Sequence, residues 1–179
     1  MKTFYINWYG PFTHQNIVDA FLQVAPIERD VKEGLRGYGL YAWTGIQKNV
    51  NGPACLQYIG VTEDAYKWRF QAKGHPQKKL TNTKQVWLGK VQSEWATRGD
   101  LEDAEHVLIA KCLPELNTEK RTLPNFACAV ISKFFEKDMS RPCRPVPSII
   151  RTIPDVVIWD LKKVRYQEKL KSYAPERVG

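Results

Sequence analysis

Two short strand-like runs separated by an emphatic turn constrain this chain more than any other feature. Gly39-Leu40-Tyr41-Ala42-Trp43 and Leu56-Gln57-Tyr58-Ile59-Gly60-Val61 are rich in aromatic and aliphatic residues, and Asn49-Val50-Asn51-Gly52-Pro53 lies between them. Strand formers on either side of an Asn/Gly/Pro cluster predict an antiparallel hairpin. Thr62 followed by Glu63, Asp64 and Ala65 reads as a capped helix start, with acids where the helix dipole favours them. That helix is expected to carry Tyr66, Arg69 and Lys73 on one side and to end near Gly74-His75-Pro76. Gln85 to Val91 reads as a third strand. Asp100 is expected to cap a helix from Leu101 to about Cys112, with Ala104, Val107, Leu108 and Lys111 at helical spacing, and Pro114 stops it.

The flanks are less distinctive. Lys2 to Trp8 suggests a strand, Gly10-Pro11 a turn, and Thr13 the cap of a helix through Ile17, Ala20 and Phe21, followed by a loop over 34–39. Asn125 is expected to cap a helix through Val130 and Phe134. Beyond Arg141 come Pro142, Pro145, Pro147 and Pro154, one strand at Val156 to Trp159 and a charged final segment.

With 43% hydrophobic and 12% aromatic residues among 179, the chain can bury a real core, which excludes a disordered protein. Its longest apolar runs, such as Val107-Leu108-Ile109-Ala110, are far too short to cross a bilayer, and Met1 to Trp8 lacks the apolar stretch of a signal peptide. Cys55, Cys112, Cys128 and Cys143 form no C-x-x-C pair, so free thiols in a reducing cytoplasm are expected, without membrane association. Charge is distributed unevenly. The net of +8 is concentrated in two places: residues 65–93 hold seven basic side chains and no acidic one, and residues 141–179 hold nine basic against four acidic. In the first of these, Lys67, Arg69, Lys73, Lys78, Lys79, Lys84 and Lys90 are interleaved with Trp68, Phe70 and Trp87. Cations pair with phosphates and aromatic rings stack on bases, so a nucleic acid is the natural partner; a solvated basic face over core aromatics explains the same pattern equally well.

Gly39-Leu40-Tyr41 on one strand and Tyr58-Ile59-Gly60 on the next resembles the GIY-YIG nuclease family. The other elements follow in that family's order: Arg69 on the first helix, eleven residues after Tyr58; Glu105 on the later helix; and Leu113-Pro114-Glu115-Leu116-Asn117, with Asn117 twelve residues beyond Glu105. The match spans about half the chain. It implies an α/β fold of the α+β type, a small, mainly antiparallel three-stranded sheet flanked by helices. The expected organisation is an N-terminal elaboration over 1–37, a catalytic core over 38–120, and a C-terminal helix, Pro-rich segment and basic tail over 121–179.

The resemblance also implies a metal-dependent endonuclease hydrolysing phosphodiester bonds, with double-stranded DNA as the expected substrate. Glu105 then corresponds to the family's single metal ligand, holding one Mg²⁺ or Mn²⁺, and Arg69 to the clamp on the scissile phosphate. Tyr41 corresponds to the tyrosine that activates the attacking water, Tyr58 to the second tyrosine of the pocket, and Asn117 to the asparagine that orders the adjoining loop. Two departures stand out: the turn between Tyr41 and Tyr58 is long, and Lys73 stands where many members carry His or Tyr one helical turn after the arginine. His75 is the nearest replacement, able to protonate a leaving group or touch a phosphate. Lys67, Lys73, Lys78, Lys79, Lys84 and Lys90 are the expected backbone contacts. Other readings stay open at this point: a catalytically silent nucleic-acid-binding module, or a nuclease acting on RNA or on branched or single-stranded DNA. A homodimer is one arrangement in which such an enzyme would cut both strands.

Overall fold

Seven strands form one mixed sheet in the order β3-β2-β4-β1-β5-β6-β7. They are β1 (Lys2–Thr13), β2 (Gly39–Gly45), β3 (Cys55–Thr62), β4 (Gln85–Val91), β5 (Cys128–Phe135), β6 (Val156–Trp159) and β7 (Val164–Gln167). This computed structural model describes residues 1–13, 39–62, 66–92, 97–137, 141–143, 145–162 and 164–167. Among them are two α-helices, α1 (Tyr66–Gln71) and α2 (Arg98–Cys112), and a 3-10 turn over Pro76–Lys79. The expected helix after Thr13, the loop before Gly39, the acidic helix start at Glu63 to Ala65 and most of the basic tail lie outside the described residues.

The sheet corrects the expected fold. The three strands read from the sequence are present and adjacent as β3-β2-β4, with β2 antiparallel to both neighbours. They are less than half of the sheet. β1 runs antiparallel to β4 through Ile6↔Val91 and parallel to β5 through Lys2↔Cys128, so it joins two groups of three strands. The first strand is thus central rather than an elaboration. It also continues through Gly10-Pro11, where a turn was expected; its pairing register shifts between Tyr9 and Phe12, an irregularity that accommodates a proline lacking an N–H.

The expected C-terminal helix is also overturned: Cys128 to Phe135 is a strand. Val130 and Phe134 stand four apart, which suits a helix, yet Cys128, Val130, Ser132 and Phe134 also alternate and all are buried. The long parallel partner β1 decides in favour of the strand. On α2 the cap is Thr97 rather than Asp100: the Thr97 hydroxyl accepts from the Asp100 N–H, and the Asp100 carboxylate accepts in return from the Thr97 N–H. Asp100 completes this capping box from the third helical position.

Alternation along the strands sends side chains to two cores. On one face Ile6, Trp8, Leu40, Ala42, Ile59, Trp87 and Val130 pack with Leu101, Ala104, Val107 and Leu108 of α2. On the other, Tyr9, Phe12, Tyr41, Trp43, Val86 and Leu88 pack with Tyr66 and Phe70 of α1 and with Leu80 after the 3-10 turn. β3 is an edge strand, and the candidate site lies along it.

Candidate functional site

Tyr41 is the centre of a buried polar network. Its side chain is 0% exposed. Its oxygen accepts from Arg69 Nε at 3.0 Å and faces His75 Nε2 at 3.1 Å. His75 Nδ1 accepts the Gln77 N–H at 3.2 Å, which fixes the tautomer: the proton is on Nε2, and His75 donates to Tyr41. The Tyr41 hydroxyl bonds that of Tyr58, which Arg69 also reaches. The order of sequence elements explains the assembly. β2 presents Tyr41, its neighbour β3 presents Tyr58 on the same face, α1 supplies Arg69, and the 3-10 turn is capped by His75.

The two motif glycines have steric work. A Cβ at Gly60 would lie 2.5 Å from the Tyr41 hydroxyl and 2.7 Å from Tyr58 Cε1, so only glycine lets the two rings lie across β3. A Cβ at Gly39 would strike the Tyr66 hydroxyl, which donates to the Leu40 carbonyl at 3.1 Å.

This arrangement sets the protonation states. Burial pushes the Tyr41 phenol well above its ordinary value, and Tyr58 beside it adds to the effect, with Arg69 opposing both. Tyr58 is raised too, by burial first and then by the Glu105 charge. Burial works against the Arg69 charge, but the tyrosine oxygens outweigh it and the cation is held. Burial, reinforced by Arg69 and Lys78, pushes His75 down to about 4. At neutral pH both tyrosines and His75 are therefore uncharged. A sealed, protonated Tyr41 is not placed to take a proton from water, and a neutral His75 has no proton to give a leaving group without losing its bond to Tyr41. Both hold the half-buried Arg69 and Tyr58 in place.

Glu105 approaches the same edge strand from α2. It is 6% exposed, its Oε2 accepts from Lys120 Nζ, and its carboxylate also accepts the Val61 N–H. Burial raises its pKa, with Lys120 pulling the other way. Asn117 lies next along the edge: its Oδ1 accepts the Ile59 N–H at 2.9 Å and its Nδ2 donates to the Ile59 carbonyl at 2.8 Å. The Leu116 N–H adds a bond to the Gln57 carbonyl at 2.9 Å. Leu116, Asn117 and Glu105 thus satisfy the outward groups of Gln57, Ile59 and Val61, as another strand would. Asn117 thereby ties the segment after α2 to β3.

The donor set around Glu105 bears on the implied divalent ion. Among the described residues no group of three or more His, Cys, Asp or Glu side chains converges. Glu105 alone fits a hydrated Mg²⁺ or Mn²⁺: it is a buried carboxylate already paired with a cation, and such ions need few protein ligands because they keep their waters.

The expected lysines do not form one patch. Lys73, Lys78 and Lys79 are exposed, while Lys84 is partly buried. Burial and then the neighbouring Lys48 lower the Lys84 pKa, so Lys48 belongs to this basic end. Lys84 immediately precedes β4 and Lys90 lies near its far end, six residues on and roughly 20 Å away for an extended chain. The Lys67 side chain lies outside the described residues. Of the interleaved aromatics, Phe70 and Trp87 are core, and Trp68, beside Arg69, is 64% exposed. Sequence reasoning missed Lys120, a lysine among mixed charges with no motif around it.

The chain matches no protein-family model, no curated protein and no solved structure.

Proposed function

We propose that the chain is a divalent-metal-dependent endonuclease that hydrolyses phosphodiester bonds in DNA. The observation that carries this reading is a half-buried guanidinium fixed by two tyrosines, one of which, Tyr58 on the edge strand, also feels the charge of the buried Glu105 carboxylate. A DNA phosphate would be clamped by those of the five Arg69 N–H donors that the tyrosines leave over. The Tyr58 hydroxyl, protonated and half-buried, donates to a phosphate oxygen or to the attacking water. Tyr41 and His75 keep the clamp rigid and exclude water from behind it. Glu105 would hold the metal ion, which when bound would supply Lewis acidity and lower the pKa of a bound water. Trp68 and the lysines of the 3-10 turn flank the clamp and suit base stacking and backbone contact. No helix among the described residues is long and apolar enough to cross a membrane.

The test is incubation of the purified protein with plasmid, single-stranded DNA and RNA, with Mg²⁺ and with chelator. Glu105→Gln should lower cleavage by several orders of magnitude while DNA affinity holds or rises, because a charge repelling phosphate is gone. Arg69→Ala should also abolish cleavage but weaken binding, by roughly 1.5–3 kcal/mol for a charge-assisted contact. Full cleavage in chelator, or by Glu105→Gln, would overturn the metal assignment. A wild type that binds DNA tightly and cuts no nucleic acid would establish a binding module instead.

A further inference from the structure

Lys120 has a placement that the proposed chemistry does not use. Its ammonium lies on Oε2 of Glu105, the carboxylate read above as the metal ligand. The segment that carries it is anchored on both sides. Asn117, three residues before, is bonded to β3, and the carbonyl of Thr122, two residues after, lies 2.9 Å from Nε2 of His106, the neighbour of Glu105 on α2. Between these anchors the backbone of Lys120 has φ +57°, a left-handed conformation that a residue with a Cβ adopts only when its surroundings hold it there. The two side chains differ in access. That of Lys120 is 32% exposed and that of Glu105 9%, so the ammonium can leave for solvent while the carboxylate stays.

We propose that Lys120 is a tethered cation that occupies Glu105 in the resting site and is displaced when a divalent ion binds. The proposal rests on the reading of Glu105 as the metal ligand. A buried carboxylate needs a counter-charge for the fold to tolerate it, and Lys120 supplies one without the Lewis acidity that hydrolysis requires. Two cations on one carboxylate repel each other, so ammonium and metal compete. The site is then electrostatically complete and chemically silent until metal arrives. Its metal affinity is set by how readily Lys120 moves away.

The experiment is titration of Mn²⁺ into the full chain, with free Mn²⁺ followed by electron paramagnetic resonance, alongside thermal unfolding and plasmid cleavage. Lys120→Met should bind Mn²⁺ roughly tenfold more tightly than wild type, because metal no longer has to displace an ammonium. Without metal its Tm should fall below that of wild type, and Mn²⁺ should raise it by more than it raises the wild type. Adding Glu105→Gln to Lys120→Met should remove both effects. Lys120→Arg should stay near wild type, and Lys120→Gln, which keeps a donor but no charge, should also tighten binding if the Met variant does not fold. Mn²⁺ affinity unchanged or weakened in both uncharged variants would overturn the role of Lys120, and a wild type that still cut DNA in Mg²⁺ would leave the nuclease reading standing. Tighter Mn²⁺ binding by Lys120→Met in a protein that cuts no nucleic acid would support the tethered cation and overturn the nuclease.

Discussion

His75 makes the stability of this protein depend on pH within a defined window. In the unfolded chain its imidazole has the ordinary value of 6.5, and in the fold burial and the Arg69 and Lys78 charges press it to about 4. Between those values the unfolded chain holds the additional proton, so the contribution is present in full above about 6.5 and lost as pH falls toward 4. Urea midpoints from pH 7.5 to 4 should fall more steeply for wild type than for His75→Asn, which does not titrate there; equal slopes would show that His75 is charged in the fold. Gly60 offers a second test at this scale. Gly60→Ala pushes a methyl between Tyr41 and Tyr58 and should cost about 1–3 kcal/mol in urea denaturation, the usual penalty for overfilling a packed site. The tyrosines, Arg69, Glu105 and Asn117 could be singled out because their motifs follow one another along the chain in the order that the resemblance supplies. Lys120 was not, because its meaning lies in the backbone conformation and the two anchors beside it. Nor could spacing tell that Tyr41 is sealed and Tyr58 half-buried, since that depends on what α1 and the 3-10 turn cover.

The 3-10 turn performs two tasks with adjacent residues. Its cap, His75, faces inward to Tyr41, while Lys78 and Lys79 face solvent. Changing both lysines to alanine should therefore weaken DNA binding alike on all sequences and flatten its salt dependence by about one to two units of slope, with folding intact. An unchanged slope would move the phosphate track to the C-terminal basic segment. At this scale the hairpin of β2 and β3, the strand β4 and the body of α2 follow from local pattern: strand formers flanking a turn, and apolar residues at helical spacing. β5 departs from the expected helix because Val130 and Phe134 suit a helical period while Cys128, Val130, Ser132 and Phe134 suit a strand's, and the choice is made by β1, more than a hundred residues away. The strand β1 was placed but cut short at Gly10-Pro11, since a local rule for proline does not see the register shift that admits it. The strand β7 lies in a segment whose charge hid it.

For the molecule as a whole, the candidate site contains one carboxylate and one clamp, so a single copy would cut one strand at a time. Early time points on supercoiled plasmid should show nicked circles if the protein acts as a monomer, and linear product directly if two copies act together on a symmetric site. Sizing the protein on its DNA distinguishes them. Sheet order was beyond the reach of the sequence, because nothing in Lys2–Thr13 names its two partners. That order bears on how the protein is made. β1, on which both halves of the sheet depend, precedes both of its partners in the chain: it pairs with β4 at 85–91 and with β5 at 128–135. On a ribosome the apolar side chains of Phe4, Ile6, Trp8 and Phe12 leave the exit tunnel long before either partner exists. Until β5 has been made, the nascent chain carries an incompletely paired hydrophobic strand, so chaperone supply during synthesis should govern its yield.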